Sequence, residues 1–318
     1  MNRERKKMKF EILLERYFTN FHRILLLNLI FAVPSAFAFG IVYLINHILL
    51  STPVIFVYFL SIILLCPFYS GVVTVVRNIA RGDEDVKVLS TYLNALKENF
   101  FSFLLHGVVI CAAAILSYLS LSMYIGMLKL SWFFYVLLFI CIVIVVFVTF
   151  TVYYIPLMSV TFDIKKRYIY KNSFLMSFGE FKNNFFATFA LAIVLALFFT
   201  VTVFCTSVTA LVLVCVGFWV LLLPATCTFV VIFFIYDGMY NLIVNKESKK
   251  KNIEEKIQNG GKAPAKTEPE FDYSEIDLSS LKDPDAYIYF NGRMVKQSVV
   301  IEKLRAKEAE NHADEPSD

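Results

Sequence analysis

The chain has 318 residues, of which 58% are hydrophobic and 16% aromatic, and its mean hydropathy is +0.66. Ordinary soluble domains are about 45–50% apolar, and here the charges lie between long apolar runs, so the composition indicates a polytopic membrane protein and not a large soluble core. The formal net charge of +4 comes from basic residues that flank apolar runs without forming a basic, aromatic-interleaved face, which argues against nucleic acid as a partner.

A basic, amphipathic segment opens the chain, from Met1 to Arg23. Its aromatic and aliphatic residues recur at helical spacing between lysines and arginines, a pattern typical of a helix that lies on a membrane surface. The apolar run that follows is too long for a cleavable signal peptide and lacks a clear small-residue cleavage site. We therefore expect an interfacial helix that is retained.

Six apolar runs follow, and each approaches the roughly 20 residues that a transmembrane helix requires. They cover about 24–50, 54–76, 100–127 and 131–160, then two runs within 183–236 on either side of a turn at 205–209. The last run contains Pro224 and is expected to end at Asp237-Gly238. Basic amphipathic segments at 77–99 and 163–182 precede the third and fifth runs and predict two further surface helices. Within the first of these segments, Arg81-Gly82-Asp83 is interpreted as a turn and not as an adhesion signal.

The distribution of basic residues predicts the orientation. Lysine and arginine populate the N-terminus, the second and fourth connections and the tail, whereas the other three connections hold one basic residue, Lys129. Because basic residues concentrate on the cytoplasmic side, both termini are expected in the cytoplasm. An even number of spans independently requires the two termini to share a side.

The predicted fold is therefore all-α. Six transmembrane helices form three helical hairpins, each preceded by an amphipathic interfacial helix, over residues 1–244. Residues 245–318 are expected to form a small cytoplasmic linker and tail.

The tail carries its own local signals. Asn259 to Glu270 is predicted to be a flexible linker, and Asn291-Gly292 between two short apolar runs predicts a β-hairpin of 287–290 with 293–296. Ser298 is placed to cap a short helix from Val299 to Ala309. Elements of this size are marginal alone, so either they dock on a partner or on the membrane domain, or the tail is solvated with nascent structure.

The three hairpins share an order that suggests an internal repeat. Each has a basic amphipathic segment, an Asn-Phe pair and two spans, of which the second carries a proline. The pairs are Asn20-Phe21, Asn99-Phe100 and Asn184-Phe185, and the prolines are Pro67, Pro156 and Pro224. Asparagine could cap a helix or form hydrogen bonds at the interface while phenylalanine anchors in the acyl region.

Few residues carry recognisable chemistry. The six cysteines lie inside apolar runs without a CxxC pair, which favours small buried hydrophobes over a metal or dithiol site. His106 in the third span is expected to satisfy a neighbouring carbonyl more readily than to relay protons, and Asn28 to form a hydrogen bond with a neighbouring helix. Gly107, Cys111 and Ala114 place small residues on one helix face, which suits close packing. Since no phosphate-binding, metalloprotease, hydrolase or paired-carboxylate motif occurs, we expect no enzyme, cofactor or metal site.

From Pro67 onward the chain resembles the YesL family, a bacterial membrane domain of unknown function. The resemblance rests on a kinking proline followed by Gly71, an aliphatic run that ends at Arg77, the turn at 81–84, and the 96–100 segment. Asn28-Leu29 with Pro34 also fits, and the resemblance covers about Arg16 to Leu242. No role is established for the family-motif and repeat positions, which are Pro67, Gly71, Arg77, Arg81, Gly82, Asn99, Phe100, Pro156, Asn184, Phe185 and Pro224.

The resemblance implies a multi-pass protein of the bacterial plasma membrane associated with carbohydrate uptake and breakdown. The leading expectation is therefore an accessory protein that contacts the lipid bilayer and, through its cytoplasmic face or tail, the subunits of a sugar transporter. The alternative is a permease that moves a neutral solute on its own, which the repeats and kinked spans suggest. A membrane enzyme ranks third.

Overall fold

The structure is a computed structural model that describes residues 8–48, 54–83, 85–258, 283, 285–290 and 293–298. This part of the chain contains helices and one two-stranded hairpin. In chain order they are α1 (Lys9–Thr19), α2 (Phe21–Ile48), α3 (Ile55–Arg81), α4 (Val88–Met127), α5 (Phe133–Thr161), α6 (Lys166–Gly179), α7 (Phe181–Val203), α8 (Val208–Leu221), α9 (Leu223–Gln258), β1 (Tyr287–Phe290) and β2 (Arg293–Lys296).

Six of these helices are long and apolar enough to cross a membrane, namely α2, α3, α4, α5, α7 and, over Leu223–Ile243, α9. This confirms the predicted all-α fold with six spans. The helix α8 is apolar but shorter. The turn expected at 205–209 is also present, and Ser207 caps α8 by accepting a hydrogen bond from the backbone N–H of Ala210 at 3.1 Å.

The contacts divide the chain into two units, Met1–Val160 with Ile164–Asp237, and Thr161–Asp163 with Gly238–Asp318. In the first unit the spans are unequally buried. Half of the apolar stretch of α3 is buried inside the protein, against 6% for α7. We therefore describe α3 as an inner helix and α7 as an outer one, most of whose apolar surface is available to lipid.

The surface helices differ from their predicted form in one place. The segments α1 and α6 are separate helices, but the segment predicted at 77–99 is not. Residues 77–81 are the last turn of α3, and 88–99 continue without interruption into the third span as the 40-residue helix α4. The second surface helix is thus fused to the span that follows it.

The sixth span also differs from the prediction. The apolar run predicted for it is divided into two helices, α8 and α9, which meet at Leu222. The sixth span is α9 over Leu223–Ile243, and it contains Pro224, as predicted, in its first turn. Proline is tolerated in a first turn because the N–H that it lacks has no partner there. The helix does not end at Asp237-Gly238, since α9 runs on to Gln258.

In the second unit the predicted hairpin is present. The strands β1 and β2 pair antiparallel, with Tyr287 opposite Lys296. Met294 of β2 forms a bridge with Phe162, and the Asp163 N–H donates to the Met294 carbonyl at 3.2 Å. Phe162, Ile288 and Met294 are all buried. The hairpin thus packs on the segment that follows α5, whereas the predicted linker at 259–270 and helix at 299–309 lie outside the described residues.

Candidate functional site: a central apolar cavity

A cavity of about 450 Å³ lies among the spans of the first unit. All six spans and α8 contribute to its wall, and none of the described residues that line it carries a charge. Representative lining residues, one from each helix, are Phe31, Tyr69, Ile110, Tyr153, Leu191, Trp219 and Cys227. This volume falls in the range of small-molecule sites, which are mostly apolar with a few placed polar groups.

The break between α8 and α9 forms part of the cavity wall, and Asn28 bridges it. Its amide Nδ2 donates to the carbonyl oxygens of Leu221 at 3.0 Å and Leu222 at 3.1 Å, while Oδ1 accepts from the Ala225 N–H at 2.8 Å. Asn28 is fully buried. Backbone groups freed at a helix break inside a membrane must find partners in the protein. Asn28 is that partner for the Leu221 carbonyl and the Ala225 N–H, and it is a second donor to the Leu222 carbonyl, which also accepts from the Thr226 N–H at 3.2 Å. The predicted hydrogen bond of Asn28 with a neighbouring helix is confirmed.

The three repeat prolines take different places around the cavity. Pro156 and Pro224 line it directly, whereas Pro67 is buried in α3 one residue after the lining residue Cys66. A proline inside a helix leaves the carbonyl four residues earlier without its usual donor, which for Pro67 is the carbonyl of Ile63. The Ile63 carbonyl lies beside Gly107 of α4.

Gly71 and Gly107 let α3 and α4 approach each other closely. A Cβ on Gly107 would lie 2.8 Å from Cβ of Cys66 and 3.1 Å from Cα of Ile63, and a Cβ on Gly71 would lie 2.4 Å from the ring of Tyr92. The predicted close packing at Gly107 is thus confirmed. On the same face, Cys111 is buried and its thiol donates to the Phe59 carbonyl at 3.3 Å.

We expect Gly107→Ala to destabilise the protein by about 1–3 kcal/mol, because the added methyl meets the backbone of Ile63, which cannot rotate away. The matched control is Gly126→Ala in the same helix, where nothing lies within 4 Å. Since alanine favours a helix over glycine by about 1 kcal/mol, the control should be neutral or stabilising. The measurement is the thermal unfolding midpoint in detergent, followed by dye labelling of buried cysteines. Equal midpoints for the two variants would contradict the close approach.

Arg77, predicted to begin a surface helix, is instead the largest side chain that the fold buries completely, with 1% exposed. Its Nη1 donates to the Val160 carbonyl at 2.5 Å, and Nε and Nη2 donate to Oδ1 of Asn78 at 3.1 and 2.8 Å. Val160 lies in the last turn of α5, where helix carbonyls have no intrahelical donor and attract positive charge. Arg77 therefore joins α3 to the end of α5.

The turn at Gly82 closes α3 as predicted. Gly82 has φ 95°, in the left-handed region that favours glycine, and the N–H groups of Gly82 and Asp83 return to the carbonyls of Ile79 and Asn78. Arg81 lies half-buried in the last turn of this helix. The guanidinium of Arg16 in α1 donates to the Ala80 carbonyl, a cap that the sequence analysis did not identify.

The Asn-Phe pairs combine one buried and one exposed residue. Asn20, Asn99 and Asn184 are buried, while Phe21, Phe100 and Phe185 are 39%, 37% and 53% exposed, as expected for anchors in the acyl region. Asn20 lies between α1 and α2, and its Nδ2 donates to the Arg16 carbonyl at 3.0 Å.

Asn184 and Asn99 take different roles in the two helices that contain them. The amide of Asn184 donates to the carbonyls of Met176 and Ser177 at the end of α6 and accepts from the Tyr154 hydroxyl at 2.6 Å, so it bridges the junction of α6 with α7. The amide of Asn99 donates to Ala95 one turn earlier in its own helix, at 2.9 Å. The same residue type thus caps a break in one hairpin and stays inside a continuous helix in the other.

His106 is fully buried in a network of hydroxyl groups. Its Nδ1 lies 2.7 Å from the Tyr170 hydroxyl, and its Nε2 lies 3.2 Å from Oγ of Ser159 and 3.4 Å from Oγ of Ser102. Burial raises the pKa of Tyr170, so its hydroxyl keeps its proton near neutral pH and is available to donate. The partners are side-chain hydroxyls instead of a carbonyl, and the network joins α4, α5 and α6.

The polar groups that reach the cavity are few. Tyr69 and Thr228 are hydrogen-bonded to each other through their hydroxyls at 2.9 Å, and the Tyr153 hydroxyl lies 3.2 Å from Oγ1 of Thr188. The indole Nε1 of Trp219 is buried and has no hydrogen-bond partner among the described residues. Sequence reasoning did not single out these residues, because their convergence depends on packing between distant spans.

The described residues include no group of three or more His, Cys, Asp or Glu side chains placed to hold a metal ion. Cys66, Cys111 and Cys141 are buried, as expected for small hydrophobes, and Cys205, Cys215 and Cys227 are half-buried. The arrangement is suited to enclosing an apolar molecule.

Comparison with known proteins yields one family. No curated protein and no solved structure matches the chain. Residues 24–121, which run from the first span into the third and carry Asn28, Pro67, Arg77 and Gly107, match the family model described as protein of unknown function DUF624, and this stretch of the chain is therefore similar to that family.

Proposed function

We propose that this chain is an accessory membrane protein of a carbohydrate uptake system in the bacterial plasma membrane, with both termini in the cytoplasm. The resemblance to YesL proteins and the similarity of residues 24–121 to DUF624 support the choice of family, and the association with sugar uptake comes from the YesL resemblance. The proposed role is non-catalytic.

One observation favours an accessory role over a sugar permease, namely the wall of the central cavity. A sugar carries many hydroxyl groups, and each loses its water when it enters a site. The cavity offers two pairs of hydroxyl groups that are already hydrogen-bonded to each other, among walls that are otherwise almost entirely aliphatic or aromatic. Burial of an oligosaccharide there would leave most of its hydroxyls without partners. The sugar path is therefore assigned to a separate transporter.

The tail hairpin is the proposed contact element. Its packing on Phe162 and Asp163, with Met294 buried, gives the tail an ordered surface in the second unit. Asp285 and Lys296 on the hairpin form an ion pair at 3.7 Å with both side chains partly exposed, which leaves them accessible to a partner. Under the predicted orientation this surface faces the cytoplasm.

A crosslinked pull-down from native membranes tests the proposal. The full chain is compared with a chain truncated after Gln258, which keeps α9 whole, and with Met294→Lys, which disrupts the buried hairpin contact. The control is Met8→Lys, which makes the same change at a methionine that is 60% exposed and lies before α1. We expect sugar-transporter subunits to be recovered with the full chain and with the control. They should not be recovered with the truncated chain or with Met294→Lys.

Other outcomes separate the hypotheses. Recovery of transporter subunits with every variant would place the contact in the membrane helices. Recovery of none, together with unchanged growth of a deletion strain on every oligosaccharide tested, would contradict the accessory role.

A permease for a neutral, apolar solute is the second candidate. The discontinuous α8–α9 span beside a central cavity favours it, since transporter sites commonly use broken helices. Solute flux into liposomes that contain only this chain would support the permease over the accessory protein.

A further inference from the structure

We propose that the central cavity binds an acyl chain of a membrane glycerolipid. The inference concerns the cavity alone and does not depend on an accessory role. It rests on the character of the walls and on the opening of the cavity.

The walls match a hydrocarbon chain. Leu65, Val73 and Leu157 contribute aliphatic surface, and no described lining residue is charged. An apolar chain in this space gains contacts at no cost in unsatisfied polar groups. Water gains little there, because the hydroxyl groups of Tyr69 and Thr228 are already bonded to each other.

The opening of the cavity indicates where the ligand comes from. The cavity is not fully enclosed, and Leu191 and Leu195 of α7 are part of its wall. Helix α7 is the span with 6% of its apolar stretch buried, and in a membrane its exposed face meets lipid. Lipid acyl chains are the most abundant apolar molecules at that face, and they enter sideways without passing through water.

The two tryptophans of the chain permit a direct test. Trp132 lies between α4 and α5, outside the cavity, and is 76% exposed. The tryptophan fluorescence of the Trp132→Phe variant therefore comes only from Trp219, and that of the Trp219→Phe variant comes only from Trp132. Each full-length protein, purified in a detergent without heavy atoms, is titrated with phosphatidylcholine that carries bromine atoms in the middle of one acyl chain.

We expect saturable quenching of Trp219 that ends at one lipid per chain and is reversed by the same lipid without bromine. Quenching of Trp132 should instead rise in proportion to the lipid content of the micelle. Proportional quenching of both tryptophans would overturn the proposal. Saturation by brominated free fatty acid but not by the phospholipid would overturn the choice of a glycerolipid.

A cavity-filling variant provides the second arm. Cys227→Phe places a ring in the cavity, and Cys215→Phe adds the same ring to a half-buried cysteine of α8 that is not in the wall. We expect the lipid concentration at which Trp219 quenching is half-saturated to rise about tenfold or more with Cys227→Phe. With Cys215→Phe this concentration should stay unchanged.

The single-tryptophan comparison needs no bulky substitution, so it decides the question even if Cys227→Phe fails to fold. Lipid binding by a chain that recovers no transporter subunits would leave this inference standing and overturn the accessory role, so the two proposals fail separately.

Discussion

Asn28→Leu is expected to lower the free energy of unfolding by about 2–4 kcal/mol, although leucine has nearly the same size as asparagine. The substitution removes one side chain and leaves two polar backbone groups without a partner, the carbonyl of Leu221 and the N–H of Ala225. The carbonyl of Leu222 loses one of two donors and keeps the N–H of Thr226. Each such group costs about 1–3 kcal/mol when buried without a partner, and hydrogen bonds inside membranes fall at the low end of that range. The loss should appear as a thermal midpoint lowered by about 5 °C or more, measured by dye labelling of buried cysteines.

The control for this prediction is Asn94→Leu, which makes the same change at an exposed position of α4 and should leave the midpoint unchanged. A second readout comes from Trp219, three residues before the break at Leu222. In the Trp132→Phe background, Asn28→Leu should shift the wavelength of maximum fluorescence emission of Trp219, because Asn28 no longer bridges the helix break in the cavity wall. A midpoint and emission equal to those of the Asn94→Leu protein would contradict the bridging role of Asn28.

The six spans could be predicted from the sequence because their cause is local. A run of about 20 apolar residues without charge has few alternatives to a membrane helix, and the runs predicted at 24–50 and 131–160 coincide closely with α2 and α5. The hairpin at 287–296 was predictable for a similar reason, since its turn signal is a dipeptide. The Asn-Phe pairs were visible as a pattern, although not the two roles that their asparagines take.

Arg77 shows where local reasoning fails. An arginine at the end of an apolar run is typical of a membrane interface, which is how it was interpreted. Its main partner, the Val160 carbonyl, is 83 residues away and belongs to the backbone, so no residue type in the sequence marks it. The break at Leu222 was hidden for the same reason, because Asn28, which stabilises it, lies 194 residues earlier. The cavity could not be predicted either, because its wall is built from seven helices that are far apart in the sequence.

Arg77 also gives the second large effect. Arg77→Met should destabilise the protein by about 3 kcal/mol or more, because it keeps the aliphatic stem but leaves the buried Val160 carbonyl and the Asn78 amide oxygen without their donor. Arg77→Lys keeps the charge yet should recover only part of the loss. A single ammonium on a flexible stem cannot reproduce the planar fork that serves Val160 and Asn78 together.

The matched control is Arg167→Met, which removes an arginine from the exposed face of α6 and should change the midpoint little. The same dye-labelling assay ranks the four proteins, and we expect the order wild type, Arg167→Met, Arg77→Lys, Arg77→Met from most to least stable. Arg77→Lys as stable as the wild type would mean that charge alone suffices at this position. Arg77→Met as stable as Arg167→Met would contradict the inference that the Arg77 guanidinium holds the end of α5 against α3.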